Sequence, residues 1–165
     1  MNIKRLTQAD WKIWKELRLE ALKSSPESFG SSYEEESNWS DSEFQNTLEK
    51  SHIFGAWQDN RLVSCAAFYS LNLNKTKHRG VLWGMYTKAE YRKQGLADAL
   101  MKVIINHAKS KVIQLHLSCV TSNTTAVSFY QKHGFEIYGT EPRALKIGEA
   151  YFDEHLMVLD LIILN

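Results

Sequence analysis

Cysteine and proline are nearly missing from this chain, and so is any excess of charge. Two cysteines, Cys65 and Cys119, cannot build a disulfide framework. Both fall in apolar, strand-like runs, which reads as buried free thiols. There is no CxxC and no HExxH, and the six histidines are scattered, so no metal motif is present. Only Pro26 and Pro142 interrupt the chain, and no repeat or linker divides it. Lys+Arg numbers 20 against 19 for Asp+Glu, a net charge of +1, which excludes a broad electrostatic surface for nucleic acid. A single local anion site is still compatible with that balance. No apolar run approaches the ~20 residues that span a bilayer. Met1–Arg5 lacks the apolar stretch of a secretory signal. The expectation is a cytoplasmic protein with no nucleic-acid or membrane partner and no metal.

What is present is a globular composition. The 165 residues, 44% of them hydrophobic, suit a single domain over 1–165. A chain of this size can bury roughly 70% of its unfolded surface and needs no staple. Asn2–Leu6 reads as a strand. Thr7 and Asp10 form a capping-box-like pair opening a helix that ends before Pro26. Residues 29–38 read as a loop, and Ser40 with Glu43 caps a second helix to about Lys50. The period then changes. Residues 52–58 and 61–71 alternate as strands about an Asp59-Asn60 hairpin turn. A third run, 78–87, leads to a helix over 94–110, a strand over 112–120 and a helix over 123–133 stopped by Gly134. Residues 135–140 and 155–163 close the chain as strands. The order implies an α+β fold in α/β/α layers: a mixed, mostly antiparallel sheet of six to seven strands with helices on both faces.

The stretch Tyr91-Arg92-Lys93-Gln94-Gly95-Leu96-Ala97 is the most informative. It follows a strand and opens a helix. Gly95 and Ala97 lack bulk, so a ligand can approach the backbone. Free N–H groups of a first helical turn and the helix dipole favour an anion there. Arg92 and Lys93 add positive charge. By itself the loop is either a phosphate cradle or an ordinary basic helix start. It is neither GxxxxGK[ST] nor a full GxGxxG.

About thirty residues later comes Asn123-Thr124-Thr125-Ala126-Val127-Ser128-Phe129-Tyr130-Gln131-Lys132-His133-Gly134-Phe135. Together the two blocks resemble the GNAT superfamily of acetyl-CoA-dependent N-acetyltransferases. Arg92-x-x-Gly95-x-Ala97 is similar to its pyrophosphate motif. Asn123-x-x-Ala126-x-x-x-Tyr130-x-x-x-Gly134-Phe135 is similar to its second signature block. The likeness covers the chain from Asn2 to Ile162.

The resemblance implies a cleft where the fourth strand, 78–87, splays from the fifth, 112–120. It implies that backbone groups of Met85, Tyr86 and Thr87 meet the acetyl and pantetheine part. Arg92, Lys93, Gln94, Gly95, Leu96 and Ala97 would hold the pyrophosphate of acetyl-CoA. Asn123 would bond the amide arm, with Ala126 in its block. Phe129 would pack beside that arm, serve as a core aromatic, or both. Lys132 stands near the adenosine phosphates, or is a solvated helix-end lysine. In this family a tyrosine at the place of Tyr130 protonates the departing thiolate. The alternative is a tyrosine that only packs or orients the thioester.

The proton acceptor is where the chain departs from relatives. Ribosomal-protein acetyltransferases of the superfamily place a glutamate five residues before the asparagine. Here Ser118 stands there, and residues 81–87 contain no acid. Ser118 and His116 share a strand face and could order a water that relays the proton. The acceptor site would be walled by residues 29–38 and 142–155, where Glu34, Glu35 and Glu36 either attract an amine or are simply solvated. The reading is acetyl transfer to a primary amine, of a small molecule, by direct attack in a ternary complex. Its competitors are a silent CoA-binding module and an acetyltransferase of protein termini or lysines. Final strands of such folds often pair between subunits, which makes a homodimer one expectation.

Overall fold

A computed structural model describes residues 1–162. Seven strands form one sheet in the order β1-β2-β3-β4-β5-β7-β6. They are β1 (Asn2–Arg5), β2 (His52–Gln58), β3 (Arg61–Ser70), β4 (Arg79–Thr87), β5 (Gln114–Val120), β6 (Glu136–Ile147) and β7 (Ala150–Asp160). All neighbours pair antiparallel except β4 and β5. The helices are α1 (Trp11–Ser24), α2 (Tyr33–Glu36), α3 (Asp41–Lys50), α4 (Leu96–Ala108) and α5 (Thr124–Lys132).

The local signals act as their chemistry requires. The Thr7 N–H donates to the Asp10 carboxylate at 2.8 Å, and the Ser40 N–H to Glu43 at 2.6 Å. Thr7 opens a 3₁₀ turn, Gln8–Asp10, which continues into α1. Asp59 and Asn60 both have positive φ, 48° and 60°, as a two-residue hairpin with matching twist needs. The α4 helix starts two residues later than its apolar pattern reads, because Gly95 turns left-handed at φ +79°.

Two apolar layers sandwich the sheet. On one face α4 presses Leu100, Met101 and Ile104 onto Phe68, Leu115 and Met157. Ala126, Val127, Phe129 and Tyr130 of α5 pack at the edge of this layer. On the other face Trp14, Leu17 and Leu22 of α1 and Phe44 and Leu48 of α3 cover Ile53, Ala67 and Tyr86. Each such side chain contributes about 1.5–3 kcal/mol by leaving water, so burial rather than helix propensity places these helices. Cys65 and Cys119 are buried free thiols, as their runs imply. Burial pushes them up to about 12 and about 11, so neither is a thiolate at neutral pH.

Two expectations need correction. Residues 29–38 are not all loop: Ser32 caps the one-turn helix α2, with its Oγ accepting the Glu35 N–H at 3.1 Å. The last hairpin is also longer than its sequence signals. β6 runs past Pro142 to Ile147, and β7 starts at Ala150 rather than 155. Proline is tolerated because β6 is an edge strand and the register shifts between Glu141 and Leu145. The expected extension of the last strand to Ile163 ends outside the described residues.

Candidate active site

β4 and β5 pair over only three rungs, Arg79–Gln114, Gly80–Leu115 and Val81–His116. Beyond them the strands part, and no further rung joins β4 to β5. β4 also carries a bulge. Ala67 pairs with Trp83 but Cys65 with Tyr86, so β4 spends one residue more than β3. Gly84 sits in that bulge at φ +67°, a conformation that favours glycine. The bulge turns Met85 toward the α4 layer and Tyr86 toward α1. The Tyr86 hydroxyl donates to Glu20 at 3.1 Å and lies 3.2 Å from Ser24 Oγ. Its side chain is therefore engaged with α1, and its carbonyl accepts the Ser64 hydroxyl at 2.9 Å on the β3 side. The Thr87 carbonyl accepts from Arg92 Nε at 2.9 Å, which folds Arg92 back over the end of β4.

The loop after β4 is a backbone cradle. Lys93 and Gly95 have φ of +60° and +79°. The N–H groups of residues 93–98 find no acceptor among the described residues. Successive orphan donors at a helix N-terminus are an anion site. A Cβ at Gly95 would meet nothing within 4 Å, so the space beside Gly95 is open. A pyrophosphate fits this donor set. The Leu96 side chain is buried in the core, leaving its amide as the part that can serve a ligand.

The α5 residues frame the other wall. Asn123 caps α5 by accepting the Ala126 N–H on Oδ1 at 3.2 Å, so its Nδ2 donor is the group left over. Phe129 packs edge-on against Tyr130 and against the α4 layer, so its core role is real. Lys132 is tied to Asp98 of α4 at 2.9 Å rather than standing free, and His133 joins the same carboxylate at 2.8 Å. Those contacts hold Asp98 below the usual carboxylate range, led by the Lys132 hydrogen bond. Tyr130 rests between Phe129 and Phe135, and its hydroxyl has no hydrogen-bond partner among the described residues. Burial pushes the phenol well above its ordinary pKa, so it holds its proton.

Ser118 is exposed two residues beyond the last rung that β5 shares with β4. His116 is placed differently from a water-ordering partner of Ser118. It lies at the closed end of the cleft, with Nε2 2.7 Å from Gln114 Oε1 and Nδ1 3.3 Å from the Tyr138 hydroxyl. Burial lowers its pKa, with Arg79 adding to the effect.

The Acetyltransferase (GNAT) family matches residues 13–135, well over half of the chain. The chain belongs to the GNAT acetyltransferase family. L-amino acid N-acetyltransferase AaaT of Escherichia coli (strain K12) is 33% identical over 78 residues, 46% of this chain. The match spans about half, 48%, of that relative. An N-acetyltransferase structure from Staphylococcus aureus Mu50 is 28% identical, with TM-score 0.77 over 98% of this chain and 97% of that one. The yncA structure of Salmonella typhimurium, solved with its cofactor acetyl-CoA, has the same fold: TM-score 0.85 at 14% identity over 98% of this chain and 94% of that one. The seven-stranded, mostly antiparallel sheet with helices on both faces is thus the GNAT fold.

On the face of α1–α3, the two expected acceptor walls do meet. Residues 29–34 and 145–148 line a cavity of about 700 Å³, with Lys23, Glu34 and Lys146 at its edge. Phe29 of this cavity stacks on the Arg18 guanidinium at 5.1 Å, and Arg18 stacks at the same distance on Trp83 of β4. Arg18 thus links a ring of the cavity to a ring of β4.

The acidic run 34–36 is not uniformly solvated. Glu36 is 1% exposed and holds Arg18 in two hydrogen bonds, 2.9 and 2.8 Å. Sequence reasoning missed this pair, because nothing local distinguishes Glu36 from its neighbours. Among the described residues no group of three or more metal-ligating side chains is gathered, and no helix is long and apolar enough to cross a membrane.

Proposed function

We propose that this GNAT protein transfers the acetyl group of acetyl-CoA to the primary amine of a small molecule, by direct attack in a ternary complex. The observation that carries the reading is the cradle at residues 93–98: a row of unsatisfied backbone donors at the mouth of a parted β4/β5 pair. Acetyl-CoA supplies the activated thioester. Arg92, Lys93, Gln94, Gly95, Leu96 and Ala97 hold its pyrophosphate, and the backbone of Met85–Thr87 with the spare donor of Asn123 holds its arm. N–H groups in the parted strand polarise the thioester carbonyl, and positioning supplies much of the rate. Tyr130 keeps its proton at neutral pH and gives it to the departing sulfur.

The cavity by Phe29 and Tyr33 receives the acceptor. Its two lysines and one glutamate suit a molecule carrying both an amine and a carboxylate. The partial likeness to an L-amino acid N-acetyltransferase makes L-amino acids the first acceptors to try. The test is thiol release from acetyl-CoA across a panel of amines. Release with a small amine supports the reading. Tight CoA binding with no turnover for any acceptor would favour a binding module.

A further inference from the structure

Acetyl transfer leaves one proton without a destination, that of the acceptor's ammonium group. Neither β4 beyond its paired rungs nor β5 carries an acid. The sheet register shows where one stands. From the last shared rung, Val81–His116, the bulged β4 needs five residues to cover what β5 covers in four. Tyr86 is thereby level with Val120. On its other side Val120 pairs with Glu154 of β7. Glu154 thus stands one strand, about 4.8 Å, behind β5 at the level of Met85–Tyr86.

Alternation fixes its face. Leu115, Leu117 and Cys119 of β5, and Met157 and Leu159 of β7, are buried in the α4 layer. Residues 118, 120, 154 and 156 therefore face the α1–α3 side, where the cavity lies. Tyr130 packs against the α4 layer, on the opposite side of the cleft. Glu154 is half-buried, and among the described residues no cation or hydrogen-bond donor meets its carboxylate. Its cross-strand neighbour is another carboxylate, Glu141 of β6. A half-buried carboxylate with a like charge beside it calls for a cation.

Resting on the acetyl-transfer reading, we propose that Glu154 takes the proton of the acceptor's ammonium group, on the side of the cleft opposite Tyr130. The ammonium gives one proton to the Glu154 carboxylate. The freed amine attacks the thioester carbon, the C–N bond forms and the C–S bond breaks. The sulfur takes the Tyr130 proton, and the second nitrogen proton restores the phenol. Glu154 then releases its proton to solvent, so one proton leaves per turnover. Burial first, and Glu141 second, raise the Glu154 pKa above the usual carboxylate range, toward the pH where a base works best. The other ionisable groups around it do not compete. Cys119 of β5 stays a thiol, Asp153 is bonded to the Arg143 N–H, and His155 faces away to Thr140.

The test is Glu154→Gln, which keeps the shape and removes the base. Thiol release from acetyl-CoA is followed with the twenty L-amino acids, ethanolamine and spermidine, and in parallel with hydroxylamine. Hydroxylamine is already unprotonated at neutral pH and needs no base. The variant is expected to lose roughly 10²-fold or more in kcat with the protonated amines. It should recover as pH rises, and keep its hydroxylamine rate and its acetyl-CoA affinity by calorimetry. Glu141→Gln should move the acid limb of the pH profile to lower pH, since a like charge is gone. An unchanged amine rate, an equal loss with hydroxylamine, or an unmoved acid limb would overturn Glu154 alone. No thiol release from the unaltered protein with any nucleophile, despite acetyl-CoA binding, would overturn the acetyl-transfer reading and Glu154 with it.

Discussion

The two sides of the cleft are made of different material. The α4 side presents backbone: the N–H groups of residues 93–98, aimed by the left-handed Lys93 and Gly95. The α1–α3 side presents side chains from distant segments: Arg18, Phe29, Glu36, Trp83 and Glu154. A backbone site needs only a local conformation and tolerates most side chains. A side-chain site needs particular residues brought together by packing.

Breaking each side in turn sharpens that contrast. Gly95→Trp should have the largest effect, complete loss of acetyl-CoA binding by calorimetry. Its ring would fill the open side of the cradle, and φ +79° is strained for any other residue. Unchanged affinity would remove the cradle. Glu36→Ala should leave that affinity intact but cost about 3–5 kcal/mol in denaturant unfolding, because the buried Arg18 charge loses its partner. A small loss would mean that Arg18 finds another anion. Tyr130→Phe should slow turnover about 10²-fold with acetyl-CoA affinity unchanged, and full activity would dismiss it as the acid.

Smaller effects follow. Asn123→Ala removes the α5 cap and should cost about 1 kcal/mol of stability. A parallel fall in acetyl-CoA affinity would show that the amide also touches the ligand arm. The least effect is a pH dependence far from the cleft. Burial, then Arg5, His107 and Lys111, hold His52 at about 4 against an ordinary 6.5. The unfolded chain takes up that proton below pH 6.5, whereas the folded one resists it until about 4. The stability this histidine contributes is therefore present above pH 6.5 and declines as pH falls toward 4. Tm measured from pH 7 to 4.5 should drop less in His52→Gln than in the parent, and identical slopes would discharge His52.

Much of the fold was legible residue by residue. Both capping boxes, the Asp59-Asn60 turn and the Gly134 stop act where their chemistry places them, since each depends on neighbours within three or four residues. The final hairpin was not legible. Pro142 reads as a breaker, and only its place on an edge strand lets β6 continue. In the candidate site, Gly95 and Tyr130 are the residues that motif spacing singles out, and their roles remain proposals. Lys132 gives no sign that Asp98 claims it, since that contact joins α4 to α5. His116 and Ser118 share a strand face, but the closed end of the cleft takes the histidine.

The amino-acid sequence by itself determined the order of elements, the near balance of charge, and the loop 93–98 for which pyrophosphate binding is proposed. Those properties come from composition and from contacts within a few residues. The tertiary structure alone decided where β4 and β5 part, that Glu36 is buried against Arg18, and that Glu154 is level with Met85–Tyr86. Helix packing and strand register both depend on distant segments meeting, and a shift of one residue in β7 would turn Glu154 to the other face.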